Sequence, residues 1–484
     1  MSFAHEGSHN NIFEDVSFHL DTDWRLGFIG RNGRGKTTFL KLLLGEHEFS
    51  GTIRADVNFE YFPYGIVDAE QLAIEALEPL IPQERSWELL REMSMLKLDE
   101  EVLYRSFSTL SNGEQTKLLL ATLFLKDNCF PLIDEPTNHL DFHTREIVAQ
   151  YLRSKKGFIL VSHDRYFLDS CVDHILSINR ADIEVQRGNY STWAENKRLR
   201  DEFELAENER LKGDIRRLKD AAQRASDWSE RVEASKRSTR SSGLRPDTGF
   251  IGHKSAKMMK RSKSLESRSF DALERKSSLL KNIETADSLK LSPLTHHANC
   301  LVSLENIAIR YGEFPICEGI SFEITRGDCI ALNGANGSGK SSIIKLICGE
   351  NIPHSGNVRL ASGLKISYVQ QDASALSGSL FDYAEGYSIE ETLFFAILRK
   401  LGFERTQFEK NLSDFSAGQK KKVTIARSLC ENAHLYIWDE PLNYIDLLSR
   451  IQIEQLLIEY KPSLLFIEHD RLFTEKLATK TVEL

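Results

Sequence analysis

Residues Gly30–Thr37 read GRNGRGKT, and this stretch decides how the rest of the chain is interpreted. It fits the pattern G-x-x-x-x-G-K-[ST], in which glycines let backbone N–H groups point inward at phosphate oxygens. An apolar strand predicted over Leu26–Ile29 precedes the loop, and a helix predicted over Thr38–Leu44 follows it. Such a helix aims the positive end of its dipole at bound phosphates. The sequence therefore predicts an α/β domain that binds a nucleotide.

A second phosphate-binding loop lies in the other half of the chain. Gly334–Ser341 reads GANGSGKS and follows a strand predicted over Cys329–Asn333. Four landmarks recur between the halves at an offset of 304–306 residues, which indicates two copies of one domain. The predicted organisation is a first copy over residues 1–190, an inserted linker over 191–297 and a second copy over 298–484.

The two loops provide most of the predicted nucleotide-binding residues. Each lysine would reach the β- and γ-phosphates, and the hydroxyl residue after it would hold Mg²⁺. In the first copy these residues are Gly30, Asn32, Gly33, Gly35, Lys36, Thr37 and Thr38, and in the second they are Gly334, Asn336, Gly337, Gly339, Lys340, Ser341 and Ser342.

A short polar motif begins a predicted helix in each copy. LSNGEQ contains Ser111 and Gly113, and FSAGQ contains Ser416 and Gly418. Ser and Gly at a helix N-terminus suit a cap, and they suit a bound phosphate equally well. Taken alone, each motif favours the capping interpretation.

Each copy also has an apolar strand that ends in two carboxylates. The strand LIDE ends at Glu135, and LYIWDE ends at Glu440. Acids at the carboxyl end of a strand lie where open α/β sheets bind their ligands. Asp134 and Asp439 would help to hold Mg²⁺, and the two glutamates would polarise an attacking water.

Two histidines lie at the ends of further strands. VSHDR contains His163 and IEHDR contains His469, and either imidazole could contact a γ-phosphate. A lone histidine in such a place is more often a structural residue, but the matched pair favours the functional interpretation.

Composition excludes several classes of protein. The 484 residues are 41% hydrophobic and 27% charged, as in a soluble globular protein. No apolar run approaches the roughly 20 residues of a spanning helix, and the polar N-terminus does not resemble a secretory signal. The seven cysteines lack C-x-x-C spacing, which indicates reduced thiols rather than zinc ligands. We expect a cytoplasmic protein without a membrane domain.

The insert between the copies is predicted to be a helical hairpin. Apolar residues recur at helical spacing over Trp193–Ala225 and again over about Ser255–Lys290. Between these runs Gly243, Pro246, Gly249 and Gly252 are expected to break the helices and form a loop at the tip.

The tip of the insert is basic. Residues Arg224–Arg268 contain 12 Lys/Arg and 5 Asp/Glu, a net charge of +7 in a chain whose net charge is −9. A run of charge is usually just a solvated face. Here Phe250, Ile251, Met258 and Met259 lie among the basic residues, which favours binding to structured RNA.

The ordered motifs, present twice, resemble the ATP-binding cassette (ABC) family, and we name the copies cassette 1 and cassette 2. The resemblance implies an ATPase with two α/β P-loop cassettes joined by a helical hairpin. It also implies two composite ATP sites, each completed by the opposite cassette. One site would combine Lys36, Thr37, Asp134, Glu135 and His163 with Ser416 and Gly418, and the other Lys340, Ser341, Asp439, Glu440 and His469 with Ser111 and Gly113.

Cassette 1 departs from the family pattern at two positions. The family has a metal-binding glutamine that Gln371 matches, whereas cassette 1 has Tyr64 there. The family also stacks adenine on an aromatic residue, which Tyr311 matches and which His5 replaces in cassette 1. The first site is therefore expected to be the weaker one. Cassette 1 is also about eight residues shorter before His5 by this internal comparison.

The soluble two-cassette chain with its helical insert resembles the ABC-F group. The stretches GLRPDTGFIGHKSAKMMKRSK and FPLIDEPTNHLD are similar to Lsa-type resistance proteins. The resemblance implies a cytoplasmic monomer, with its cassettes paired within one chain, that binds the bacterial ribosome and not DNA. The tip would contact rRNA from the tRNA exit site and protect against lincosamides, streptogramin A and pleuromutilins. Two alternatives remain: a housekeeping ABC-F translation factor, and the ATPase subunit of a drug exporter.

Overall fold

The computed structural model describes residues 1–4, 12–66, 68–81, 86–138, 140–178, 183–234, 248–279, 289–311 and 314–484. One compact unit comprises Met1–Ser191 with Ala286–Leu484, and the other comprises Thr192–Thr285. The first unit contains both cassettes and the second contains the helical insert. His5, Gly243 and Pro246 lie outside the described residues, and the predicted boundaries at 190 and 297 stay predictions.

The chain forms its helices and strands in the following order. In cassette 1 the strands are β1 Arg25–Gly30, β2 Asn58–Phe62, β3 Cys129–Asp134, β4 Phe158–Val161, β5 His174–Ile178 and β6 Ile183–Arg187, and the helices are α1 Lys36–Leu43, α2 Ala73–Leu77, α3 Ser86–Met95, α4 Asn112–Leu123, α5 Phe142–Ser154 and α6 Arg165–Cys171. The insert contains α7 Tyr190–Ala234 and α8 Thr248–Leu279. In cassette 2 the strands are β7 Cys300–Tyr311, β8 Phe314–Thr325, β9 Cys329–Asn333, β10 His354–Leu360, β11 Ile366–Val369, β12 Leu435–Asp439, β13 Leu464–Ile467 and β14 Lys480–Glu483, and the helices are α9 Lys340–Ile347, α10 Leu380–Gly386, α11 Glu391–Lys400, α12 Ala417–Cys430, α13 Leu447–Tyr460 and α14 Arg471–Leu477.

The main sheets of the two cassettes have the same strand order. Cassette 1 has the order β2-β3-β4-β1-β5-β6, and cassette 2 has β11-β12-β13-β9-β14. These strands pair in parallel, except that β6 runs antiparallel to β5. In each sheet the strand before the phosphate loop, β1 or β9, is central. The neighbouring strand β4 or β13 ends just before a predicted site histidine, His163 or His469. The predicted duplication and α/β fold class are confirmed.

The cassettes differ beside the main sheet. Cassette 2 has a three-stranded antiparallel sheet, β10-β7-β8. In the described part of cassette 1 the corresponding pairing is limited to single bridges, Ser2 with Ser50 and Phe3 with Phe13.

Aromatic packing fixes the first phosphate loop on its sheet. The Phe39 ring of α1 meets the Phe28 ring of β1 edge to face, with 5.3 Å between centroids. The Phe13 ring packs against the Phe39 ring, with 6.0 Å between centroids. All three side chains are almost fully buried, so the helix that follows the loop is held on the hydrophobic core.

The insert is a helical hairpin, as predicted. Its helices pack through small residues: the Ser229 hydroxyl lies 2.9 Å from the Ser255 hydroxyl, and Ser262 Oγ donates to the backbone oxygen of Ala222 at 3.1 Å. Small side chains let the two backbones approach closely. One prediction was wrong, because Gly249 lies within α8, in the first turn. Gly252 also lies within α8, since a helix tolerates glycine at a cost of about 1 kcal/mol.

Candidate active site

Glycines shape both phosphate loops. Gly33 and Gly337 have φ of 82° and 83°, a left-handed conformation that strains other residues. A Cβ on either would meet nothing within 4 Å, so there is open space beside this part of each loop. A Cβ on Gly35 would instead lie 2.6 Å from Ile12 Cγ2. The loops can therefore receive phosphate oxygens on one side while they pack tightly on the other.

The two loop lysines fold back on their own loops. Lys36 Nζ donates to the backbone oxygen of Gly30 at 2.7 Å and to Asn32 Oδ1 at 3.3 Å. Lys340 Nζ donates to the backbone oxygens of Gly334 and Ala335 at 2.8 and 2.7 Å. Burial lowers the pKa of both lysines. Each ammonium is thus placed inside its loop, where phosphate oxygens would replace its backbone partners.

The predicted metal ligands of cassette 1 lie together. Thr37 Oγ1 donates to Asp134 Oδ2 at 3.1 Å, which joins the phosphate loop to the end of β3. Tyr61 Oη donates to the same carboxylate oxygen at 3.0 Å. Tyr64 lies elsewhere, because its hydroxyl donates to the backbone oxygen of Leu119 at 2.8 Å. The tyrosine that contacts the Asp134 carboxylate is therefore Tyr61, which sequence reasoning did not single out, and the assignment of Tyr64 to the family's glutamine position stays a prediction.

The corresponding carboxylate of cassette 2 has the character of a cation ligand. Both oxygens of Asp439 are buried, and neither has a hydrogen-bond partner within the described residues. Burial raises the pKa of Asp439 to about 6. A bound divalent cation would offset the cost of burying these two carboxylate oxygens without hydrogen bonds. The carboxylates and hydroxyls present in both cassettes fit Mg²⁺, which prefers oxygen ligands and keeps several waters.

Glu135 lies just after β3 in a strained left-handed conformation, with φ of 51°. Its Oε1 lies 3.4 Å from His163 Nε2. Burial, assisted by the charge of Asp134, raises the pKa of Glu135 to about 8. Burial also lowers the pKa of His163, and the positive charge of Lys36 lowers it further.

Glu440 has the same position after β12, with φ of 46°, but a different environment. Asn443 Nδ2 donates to its Oε2 at 2.6 Å. His469 Nε2 lies 3.7 Å from its Oε1. Burial would raise the pKa of Glu440, but His469 and Gln371 outweigh it and bring the pKa down to about 2. The two matched glutamates are therefore electrostatically unequal.

The polar motifs cap their helices in both cassettes. Ser111 Oγ accepts from the backbone N–H of Glu114 at the start of α4, and Ser416 Oγ accepts from that of Gln419 at the start of α12. The favoured capping interpretation is confirmed. A bound phosphate remains compatible with it, because the neighbouring backbone N–H groups still point out of the helix end.

One motif helix meets the opposite phosphate loop directly. A Cβ on Gly418 would lie 3.3 Å from Asn32 Nδ2 and 2.5 Å from the backbone oxygen of Tyr444. Asn32 Nδ2 donates to that same oxygen at 3.0 Å. The structure thus brings Gly418 of cassette 2 to the loop of cassette 1, as the composite-site prediction requires.

The second composite site is joined through different contacts. The atoms nearest to a Cβ on Gly113 belong to Thr144 and Leu140 of its own cassette. The loop of cassette 2 contacts cassette 1 through the backbone N–H of Asn336, which donates to Asp141 Oδ2 at a long 3.5 Å. Tyr311, the predicted adenine contact, is half exposed, and its hydroxyl lies 3.3 Å from Ser342 Oγ.

Sequence reasoning missed the residues that follow each carboxylate pair. Asp141 and Asp446 cap α5 and α13, and both lie beside the opposite cassette's phosphate loop. Asp446 is fully buried in an ion pair with Lys422, and although burial opposes it, that pair lowers the pKa of Asp446. The motifs NHLD and NYID match at the repeat offset, so that internal alignment could have identified them.

Comparisons with known proteins define the class to which this site belongs. A profile of the ABC transporter family matches residues 13–138 and 317–443, just over half of the chain. The chain therefore belongs to the ABC transporter family, and it is an ATPase that binds ATP. No described helix is long and apolar enough to span a membrane.

The relatives place the chain within that family. It is 28% identical to the ribosome protection protein VmlR of Bacillus subtilis over 98% of this chain and 84% of VmlR. It is 24% identical to the energy-dependent translational throttle protein EttA of Haemophilus influenzae over 98% of this chain and 89% of EttA. The predicted resemblance to the ABC-F group is confirmed.

A solved structure supports the fold. The archaeal ribosome recycling factor ABCE1, crystallised with the ribosomal stalk protein aP1, superposes with a TM-score of 0.63. The match is 19% identical and covers 96% of this chain and 84% of that one. At this identity the likeness concerns the fold alone.

Proposed function

We propose that this protein binds the bacterial ribosome with ATP bound and protects translation against lincosamides, streptogramin A and pleuromutilins. The observation that carries the proposal is the basic helical hairpin inserted between two cassettes. Lys254, Lys257, Lys260 and Arg261 are exposed on α8, where they are available to phosphate groups. The match to VmlR includes this insert, because it extends over 98% of the chain.

The site geometry supports definite roles in hydrolysis. Glu135 and Glu440 accept a proton from the attacking water, and His163 and His469 contact the γ-phosphate. Thr37 with Asp134, and Ser341 with Asp439 and Gln371, hold Mg²⁺, which supplies charge stabilisation for the phosphates. Lysines and backbone N–H groups of the loops, together with Ser111, Gly113, Ser416 and Gly418, hold the phosphates, and Tyr311 stacks on adenine.

The proposed cycle uses these roles on the ribosome. The ATP-bound protein enters at the tRNA exit site, and the hairpin tip reaches rRNA near the drug. Hydrolysis then separates the cassettes and releases the protein. On this proposal the protein is a cytoplasmic, ribosome-associated monomer whose cassettes pair within one chain.

The test is purified protein added to a membrane-free translation extract inhibited by a lincosamide or a pleuromutilin. We expect the wild-type protein with ATP to restore synthesis, and a chain with Glu135→Gln and Glu440→Gln to stay on the ribosome and fail to recycle. Restoration of growth in cells without rescue of the extract would instead identify an exporter subunit.

The match to EttA favours one alternative, a housekeeping translation factor on the same ribosomal site. Such a factor would co-sediment with ribosomes in the presence of ATP and change drug-free translation. It would rescue neither the extract nor cells from the drugs. Drug-free and drug-inhibited extracts measured in parallel therefore separate the two functions.

A further inference from the structure

One buried arginine of cassette 1 reaches the second candidate site from across the cassette interface. Arg145 lies on α5, and only 8% of its surface is exposed. Its Nε donates to the backbone oxygen of Leu140 at 3.0 Å, and its Nη1 donates to Asp164 Oδ2 at 2.9 Å. The same Nη1 donates to the backbone oxygen of His469 in cassette 2 at 3.1 Å.

The histidine loop that Arg145 contacts is held on its other side by cassette 2 itself. Glu468 Oε2 accepts from the backbone N–H of His469 at 3.1 Å, and Glu468 Oε1 accepts from that of Leu442 at 2.6 Å. With Arg145 on its carbonyl oxygen, His469 has both backbone polar groups fixed. Its imidazole faces Glu440, with 3.7 Å between Nε2 and Oε1.

Among the described residues, the hydrogen bonds of the matching arginine of cassette 2 stay within its own cassette, although its charge also acts on Glu135 and His163 of cassette 1. Arg450 lies at the equivalent position on α13, and it donates to the backbone oxygens of Ile445 and Leu442, each at 2.9 Å. Its Nη1 donates to Asp470 Oδ2 at 3.2 Å. Both arginines thus hold the loop before their own helix, and Arg145 has the additional bond to the opposite histidine.

We propose that Arg145 is a positioning residue that acts in trans on the second site. It holds the His469 loop so that the imidazole faces Glu440, and it does so only when the cassettes are paired. The proposal rests on the proposed assignment of His469 and Glu440 to hydrolysis. It makes turnover at the second site depend on cassette 1 through a contact separate from the Ser111 motif.

The experiment measures steady-state ATP hydrolysis by Arg145→Ala and Arg145→Lys in two backgrounds. With Glu135→Gln, where only the second site turns over, Arg145→Ala should lower kcat about 10- to 100-fold and change KM little, as for a misplaced reacting group. With Glu440→Gln, where only the first site turns over, the loss should be much smaller. Arg145→Lys should recover part of the kcat, because it keeps one donor.

Controls separate this role from a structural one. Asp164→Asn removes the ion-pair partner of Arg145 and keeps an oxygen that can cap α6. It should therefore lower the kcat of the second site far less than Arg145→Ala does. Equal losses in both backgrounds, or equal losses for Asp164→Asn and Arg145→Ala, would overturn the proposal. If Glu440→Gln alone leaves turnover unchanged, the site assignment fails instead. Thermal unfolding of each variant checks that the cassettes remain folded.

Discussion

At the scale of single residues, the two matched glutamates proposed as general bases differ in protonation. Glu135 has a pKa of about 8, and Glu440 has a pKa of about 2. A general base must be ionised, so a raised pKa makes activity increase as the pH rises through it. In Glu440→Gln protein, phosphate release should therefore increase up to about pH 8. In Glu135→Gln protein it should stay nearly constant between about pH 6 and 8. A flat profile for the first site would contradict the assigned protonation state.

The same difference predicts unequal effects of the two substitutions. At neutral pH, Glu440→Gln should lower steady-state turnover more than Glu135→Gln, because Glu440 is ionised and held by Asn443. The double variant should lose about 10²–10⁴ in rate while it retains ATP, as is usual for the loss of a general base. Nucleotide-binding titrations run beside the turnover assay check this. The reverse order of the single variants would mean that the ionised Glu440 is not the more active base.

Sequence reasoning predicted the same inequality from Tyr64 and His5, and the structure gives a further reason to expect it. Tyr64 bonds to the backbone of Leu119, so it does not face the carboxylates. The pKa difference between the two glutamates arises from burial at Glu135 and from His469 and Gln371, which outweigh burial at Glu440. Those contacts depend on how loops pack after the strands end, which a motif does not specify.

At the scale of elements, the strands and helices around each motif could be predicted from the sequence. The length of the hairpin helices and the contacts between them could not. The predicted strand Cys329–Asn333 matches β9 residue for residue, because a buried parallel strand is a continuous apolar run. The predicted helix Trp193–Ala225 was too short, since α7 extends to Ala234. Its last turns are polar in sequence, and they are helical because the Ser229 region packs on α8.

The serine contacts between α7 and α8 lead to a prediction about the hairpin. Ser262 is 1% exposed and lies against the backbone of Ala222. Ser262→Leu should force the helices apart at a cost of about 1–3 kcal/mol, as overpacking does. Ser262→Ala keeps the small volume and should cost less. Hydrogen exchange along α7 and α8 measures the effect, and equal exchange in both variants would mean that close approach is unimportant.

At the scale of the whole molecule, the contacts that join the cassettes link residues hundreds of positions apart. Arg145 and His469 are separated by 324 residues, and Asn32 and Tyr444 by 412. The repeat offset predicts that two sites exist, but not which backbone oxygen each side chain reaches. Such pairs are fixed by the packing of two complete sheets, so they emerge only from the folded chain.

The separation of the predicted ATP residues from the hairpin leads to a prediction about the tip. All predicted ATP residues lie outside Thr192–Thr285, the unit that contains the hairpin. Replacing residues 244–259 with a short Gly/Ser loop should therefore leave basal ATP hydrolysis intact. On the proposed function it should also abolish rescue of drug-inhibited translation, because the proposed contact of the tip with rRNA near the drug is removed.

Neutralising the exposed charges of α8 should have a different effect from removing the tip. With Lys254, Lys257, Lys260 and Arg261 changed to Gln, ribosome binding should weaken. Its logarithmic dependence on salt should also become shallower by up to about 0.7–0.9 per lost phosphate contact. Co-sedimentation across a salt series measures the slope. Glu266→Gln on the same helix is a matched control that should not make the slope shallower. A slope unchanged by all four substitutions would mean that these side chains do not contact phosphates, and that another surface of the protein holds the ribosome.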